Sequence, residues 1–251
     1  MSDSSTAAAQ LRATVESTDL LLHTLRELRP EDVPAPSALP GWTRGHVLTH
    51  LARNADSLVN LLNGARTGQD IPQYPSAEAR DAAIEAGAGR PLAEQVADVR
   101  DSQQRFLDAA ALLDPEHWSA EVKHRSGYVF PAWQLPVKRL AELEYHHVDL
   151  NAGYTPAHWP EDFATAEFRR LGGHFGALAG LPAVRLIAED AGLEARLGDP
   201  EAAPELTVEG PVRALTGWLS GRSDGDGLQV HRAGEGLVDP RSALPQLPPM
   251  G

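Results

Sequence analysis

The chain has no cysteine in 251 residues. That rules out a disulfide scaffold, a thiolate metal ligand and a cysteine nucleophile, so any thiol chemistry must use a thiol brought in from solution. Cationic side chains are scarce as well: 22 Lys and Arg stand against 35 Asp and Glu, a net charge of -13. Such a surface repels phosphate backbones and anionic lipid, which argues against nucleic-acid and membrane-surface partners. No apolar run approaches the roughly 20 residues that span a bilayer. The opening residues, MSDSSTAAAQ, lack the basic-then-apolar layout of a secretory signal, so a cytoplasmic protein is expected. Hydrophobic content is ordinary at 42%, with 23% charged residues, enough for a real core. The length suits two modest domains better than one large one, and a monomer is expected.

The first two thirds carry helical patterning. Leu11, Val15, Thr18, Leu22 and Leu25 recur at four-three spacing and predict an amphipathic helix that stops before Pro30. After a proline-rich loop ending in Gly41-Trp42, Thr43 caps a helix with Val47, Leu51, Leu58 and Leu61, which Gly64 ends. Residues 64–76 are expected to form a loop. Pro91 opens a third long helix with the stripe Leu92, Val96, Val99, Phe106, Ala110 and Leu113, and a fourth runs from near Pro136 to about Asn151. Four helices predict a four-helix bundle over residues 1–160. Beyond it, a helix over 162–179, short strands at Val184–Ala188, Glu194–Leu197, Leu206–Glu209 and Leu228–His231, and a helix from Pro211 to Ser220 predict a small α+β domain over 161–240. Residues 241–251, rich in proline, are expected to be a loose tail.

Two segments could carry chemistry. In Gly45 to Ala55, His50 and Asn54 fall beside the apolar stripe while His46 is turned toward solvent. A histidine so placed is either a hydrogen-bonded core residue or a ligand. In Arg139 to Leu150, Glu142 and His146 are four apart and share a helix face, as metal ligation requires. Glu144 and His147, three apart, compete with them. Periodicity favours the competitor, because Val137, Leu140, Ala141 and Val148 surround Glu144. Spacing alone leaves both pairs open, and Glu142, His146 and Asp149 could equally form a solvated polar face.

The run from Leu39 to Ala55 (L-P-G-W-T-R-G-H-V-L-T-H-L-A-R-N-A), followed by E-x-x-x-H-H-V-D-L from Glu142 to Leu150, resembles the mycothiol-dependent maleylpyruvate isomerase family. That family belongs to the DinB-like group of metal-binding four-helix bundles. The likeness extends to Ile71–Arg80, Leu206–Gly210 and Trp218–Arg222, and so spans nearly the whole chain, including a C-terminal α+β domain. The resemblance implies His50, Glu142 and His146 as ligands of zinc or another divalent metal, in the register that selects them over Glu144 and His147. It also implies Arg80 and Arg222 at the active-site pocket. For these the plain alternatives are a surface ion pair of Arg80 with Glu78 or Asp81, and a charge at a helix C-terminus for Arg222. One departure falls in the ligand helix: Glu142 sits between Ala141 and Leu143, where family members often carry Arg-Glu-Val.

The activity so implied is cis-trans isomerisation of maleylpyruvate to fumarylpyruvate, a step of aromatic catabolism, with mycothiol as cofactor. Its partners would be a small-molecule thiol and a small dicarboxylate. A metal-held thiol is ionised, adds to the cis double bond, and leaves after rotation. A free thiol with pKa near ~8.5 is only a few per cent thiolate at neutral pH, so ionisation gains roughly thirty-fold. Orientation and cationic stabilisation of the enolate must supply the rest. A mycothiol S-transferase would use the same site but consume the thiol; a non-catalytic metal- or ligand-binding regulator is the third reading.

Overall fold

The computed structural model describes residues 3–249 and divides into two compact units, Met1–Tyr154 and Thr155–Gly251. The first opens with α1, Asp3–Arg26. Its buried stripe is Ala7, Thr14, Thr18, Leu21 and Leu25, whereas Val15 is exposed, so the helix is rotated from the purely apolar reading. Threonines can face inward because their hydroxyls are satisfied within the helix: Thr14 Oγ1 donates to Leu11 O and Thr18 Oγ1 to Thr14 O.

Helix α2, Arg44–Thr67, begins at the Thr43 cap, as expected. It does not end at Gly64 but runs one turn further, to Gly68 with φ 70°. Gly64 is needed for close approach, since a Cβ there would sit 2.9 Å from Gln69 O as the chain folds back. Helix α3, Ala77–Ala88, is an element the apolar periodicity did not reveal, because Ile84 is its one large buried residue. It packs on α2 where Gly87 meets Thr49, and the fully buried Gln95 locks that contact. Gln95 Nε2 donates to Gly87 O (2.8 Å) and its Oε1 accepts from Thr49 Oγ1 (3.1 Å).

Helix α4 spans Leu92–Ala111, with Pro91 at its cap. A hairpin of β1 (Glu121–Lys123) and β2 (Val129–Pro131), also unanticipated, follows, with Val122 and Phe130 turned inward. Helix α5 is Gln134–Asp149. Both α1 and α2 pack on α4 and α5, which closes the expected four-helix bundle.

The second unit holds α6 (Glu161–Gly176), β3 (Val184–Ala188), β4 (Leu193–Leu197), β5 (Leu206–Gly210), α7 (Val212–Leu219), β6 (Gln229–Arg232), β7 (Gly236–Val238) and α8 (Pro240–Ala243). The sheet order is β4-β3-β5-β6-β7, with β3 and β5 parallel and the other pairs antiparallel. Alternation such as Val184, Leu186 and Ala188 inward on β3 supplies one face of the core. Gly172 and Gly176 let α6 lie close on β4, since Cβ atoms there would meet Ala195 and Arg196 O. This is the α+β architecture predicted, with β7 added. At the start of the expected tail, Arg241 pairs with Asp226 at 3.0 Å; its last two residues, 250–251, lie outside the described ones. Among the described residues no helix is long and apolar enough to cross a membrane.

Candidate metal centre

His50 sits two turns into α2 and is almost wholly buried, at 6% exposure. Its Nε2 lies 2.9 Å from Glu142 Oε2 on α5, and His146 Nε2 lies 3.2 Å from the same oxygen. The two imidazoles meet edge to face, 4.6 Å between centroids. Donor atoms of all three residues lie within 4.8 Å of one another, the one such group among the described residues. Arg139 ties α5 to α2 and α4. Fully buried one turn before Glu142, it donates from Nη1 to Leu51 O (2.8 Å) and Asn54 Oδ1 (3.0 Å), and from Nε to Gln103 Oε1 on α4 (2.9 Å). These bonds register α5 against the turn of α2 that follows His50. Burial lowers the Arg139 guanidinium to about 10, so it remains charged at neutral pH.

The electrostatics match the geometry. Burial alone would raise the Glu142 carboxyl, but hydrogen bonds from His146 and His50 outweigh it and hold the group well below the carboxylate range. Burial would lower His146; its bonds to Asp149 and Glu142 reverse this and raise it. His50 is lowered, first by burial and then by the nearby His146 charge. The site is therefore an anionic carboxylate between one neutral and one readily protonated imidazole.

Two imidazole nitrogens and a carboxylate oxygen are the donor set of a catalytic zinc or similar divalent ion with a position left open. The atoms around them fit that use. His146 Nδ1 is held 2.8 Å from the buried Asp149 Oδ2, so its proton stays on that side and Nε2 is presented to the centre. Trp42, 5.6 Å from the His50 ring, walls that side. Arg80 on α3 adds a condition. Its Nη2 points at His50 Nδ1 from 3.4 Å, and a guanidinium can only donate, so here Nδ1 accepts and Nε2 carries the proton. A metal held by Nε2 would require the His50 proton on Nδ1, where Arg80 could no longer donate.

The expected residues divide accordingly. His50, Glu142 and His146 converge, with Arg80 beside them, while Arg80 Nη1 also pairs with Asp81 at 2.6 Å, the ion pair considered as its plain alternative. Arg222 belongs to the second unit and donates from Nη1 to the carbonyl of Ser220, the C-cap residue of α7 (2.8 Å). Glu144 and His147 do face the interior, as periodicity indicated, but toward α1 rather than α2. Sequence reading placed Asp149 only in a possible solvated polar face, whereas it is buried against His146 Nδ1. That reading passed over Tyr74, whose phenol burial raises above its ordinary value, with Ser57 and Arg80 as hydrogen-bond partners.

Bundle and donor set together define a helical-bundle protein with a candidate divalent metal site. The chain belongs to the mycothiol maleylpyruvate isomerase N-terminal domain family, whose model matches residues 14–151. Two solved structures, the mycothiol-dependent maleylpyruvate isomerase and a histidine-to-alanine mutant of it, each match with a TM-score of 0.82 and 25% identity, over 89% of this chain and 92% of theirs. A comparison with curated proteins finds no match.

Proposed function

We propose that this protein is a cytoplasmic, monomeric isomerase that converts maleylpyruvate to fumarylpyruvate with mycothiol as a recycled cofactor. The observation that carries the reading is the convergence of His50, Glu142 and His146 inside a fold shared with such an enzyme across nearly both chains. These three residues are the proposed ligands. A divalent ion bound there, best zinc, supplies an open position that keeps an incoming thiol ionised.

The chain's own groups do the remainder. Asp149 fixes the tautomer of His146, and Arg139 ties α5 to α2. Arg80, beside His50, is the proposed cation that meets the negative charge developing on a dicarbonyl substrate. Arg222 is proposed, on the family resemblance alone, as a second cation for the reaction.

The test is a single assay. Purified protein with zinc and mycothiol should shift the maleylpyruvate absorbance to that of fumarylpyruvate while total free thiol stays constant. Stoichiometric loss of thiol onto an electrophile, with maleylpyruvate untouched, would instead assign a mycothiol S-transferase. Metal binding without either reaction would leave a non-catalytic regulator.

A further inference from the structure

A cleft of about 500 Å³ opens in the first unit, bounded by the loop before α3, the start of α3 and the β1–β2 hairpin. This volume lies within the range of small-molecule sites, roughly 300–1,000 Å³. Its lining is unlike the rest of the protein. Arg80, Lys123 and Arg125 face it with Asp70 as the one carboxylate, in a chain whose net charge is -13. Elsewhere arginines pair with acids, as Arg53 and Arg90 do with Asp98 and Arg105 with Asp56. Among the described residues Lys123 and Arg125 form no ion pair. Two unpaired cations sharing one concave surface in an acid-rich chain raise the local potential for anions. Ser76 and Ala77 bring the amide-rich N-terminus of α3 to the same wall, which adds to that potential.

The hairpin that carries these cations is anchored through its backbone. Gln73, itself buried, accepts the Arg125 backbone N–H at Oε1 (3.0 Å) and donates from Nε2 to Ser57 Oγ on α2 (3.2 Å). Asn60 Nδ2, also on α2, donates to the Gln73 carbonyl (3.2 Å). The hairpin tip is thus fastened to the helix that carries His50. Arg80 joins the two places, lining the cleft while its Nη2 reaches His50 Nδ1.

We propose that Lys123 and Arg125 form a carboxylate-recognition subsite, which grips the far carboxylate of a small dicarboxylate and leaves its reacting carbons toward Arg80 and the His50–Glu142–His146 cluster. The inference rests on the isomerase reading for which molecule is turned over, but not for the binding itself. It concerns specificity: the hairpin selects dianionic substrates, and the metal-competent cluster is indifferent to that end of the molecule.

Titration of the zinc-loaded protein with maleate, followed by calorimetry, reads the subsite without turnover. Arg125→Ala and Lys123→Ala should each weaken maleate about tenfold, the cost of one charge-assisted hydrogen bond. Zinc stoichiometry and melting temperature should match the unaltered protein, since both side chains are exposed. With maleylpyruvate as substrate, KM should rise in both variants while kcat and the KM for mycothiol stay put. Maleate binding equally well to the variants overturns the proposal, as does inorganic phosphate binding to the unaltered protein as tightly as maleate. If maleate binding is lost in the variants but maleylpyruvate is never isomerised, the subsite stands and the isomerase reading falls.

Discussion

Helix α5 carries two Glu–His pairs, and its two faces treat them differently. Glu142 and His146 look toward α2, where His50 supplies a third donor and a third of the Glu142 side chain remains exposed. Glu144 and His147 look toward α1. There His147 Nε2 lies 2.8 Å from Thr24 Oγ1 and its ring stacks at 3.7 Å on Tyr154, whose hydroxyl donates to Glu144 Oε2 at 2.6 Å. The second pair is the more deeply buried, at 1% exposure for each residue. Its polar atoms are committed to hydroxyls, so nothing convergent is left for an ion. Burial identifies what is inside; a shared focus of lone pairs with an opening beside it identifies what can bind.

The largest expected break in this comparison comes from exchanging the faces' roles. His50→Ala or Glu142→Gln should cut zinc affinity, measured by competition with a chromophoric chelator, by more than the ~10–100-fold that outer partners cost. His147→Ala and Glu144→Gln should leave it unchanged; equal losses on both faces would mean that the wrong centre has been assigned.

A smaller effect concerns pH. His146 is raised above 6.5 by its bonds to Asp149 and Glu142, so below its folded value it holds a proton on Nε2 that a metal must displace. Zinc affinity should therefore fall about tenfold per pH unit as pH drops through that region, and level off above it. A flat profile there would contradict the assigned protonation.

The smallest effect is on stability. Burial raises Glu144 above 4.5, so the unfolded chain ionises first as pH rises. Stability associated with this group is full below 4.5 and is lost as pH climbs through the raised folded value. Glu144→Gln removes that loss and keeps an acceptor for Tyr154. Its melting temperature should exceed the parent's by a few degrees at neutral pH, with the gap vanishing in acid.

Much of the fold was legible because burying an apolar stripe requires a period, and the long helices and short strands show theirs plainly. Helix α3 and the hairpin were not, since Ala-rich and three-residue segments carry almost no stripe; yet these are the elements that wall the cleft. On α1, Thr18 turns inward as expected and Thr14 joins it against expectation, because a hydroxyl bonded to its own helix costs little to bury.

By itself the sequence determined the element order, the absence of any internal thiol, and two candidate Glu–His pairs on one helix. Periodicity, which measures only how a helix faces the core, leaned toward Glu144 and His147. Tertiary structure separated the two pairs: the packing of α2 on α5, tied by Arg139, brings His50, 92 residues away in the chain, to Glu142, and α1 meets Glu144 and His147 with hydroxyls. Convergence of lone pairs from distant segments is a property of packing, and no local pattern encodes it.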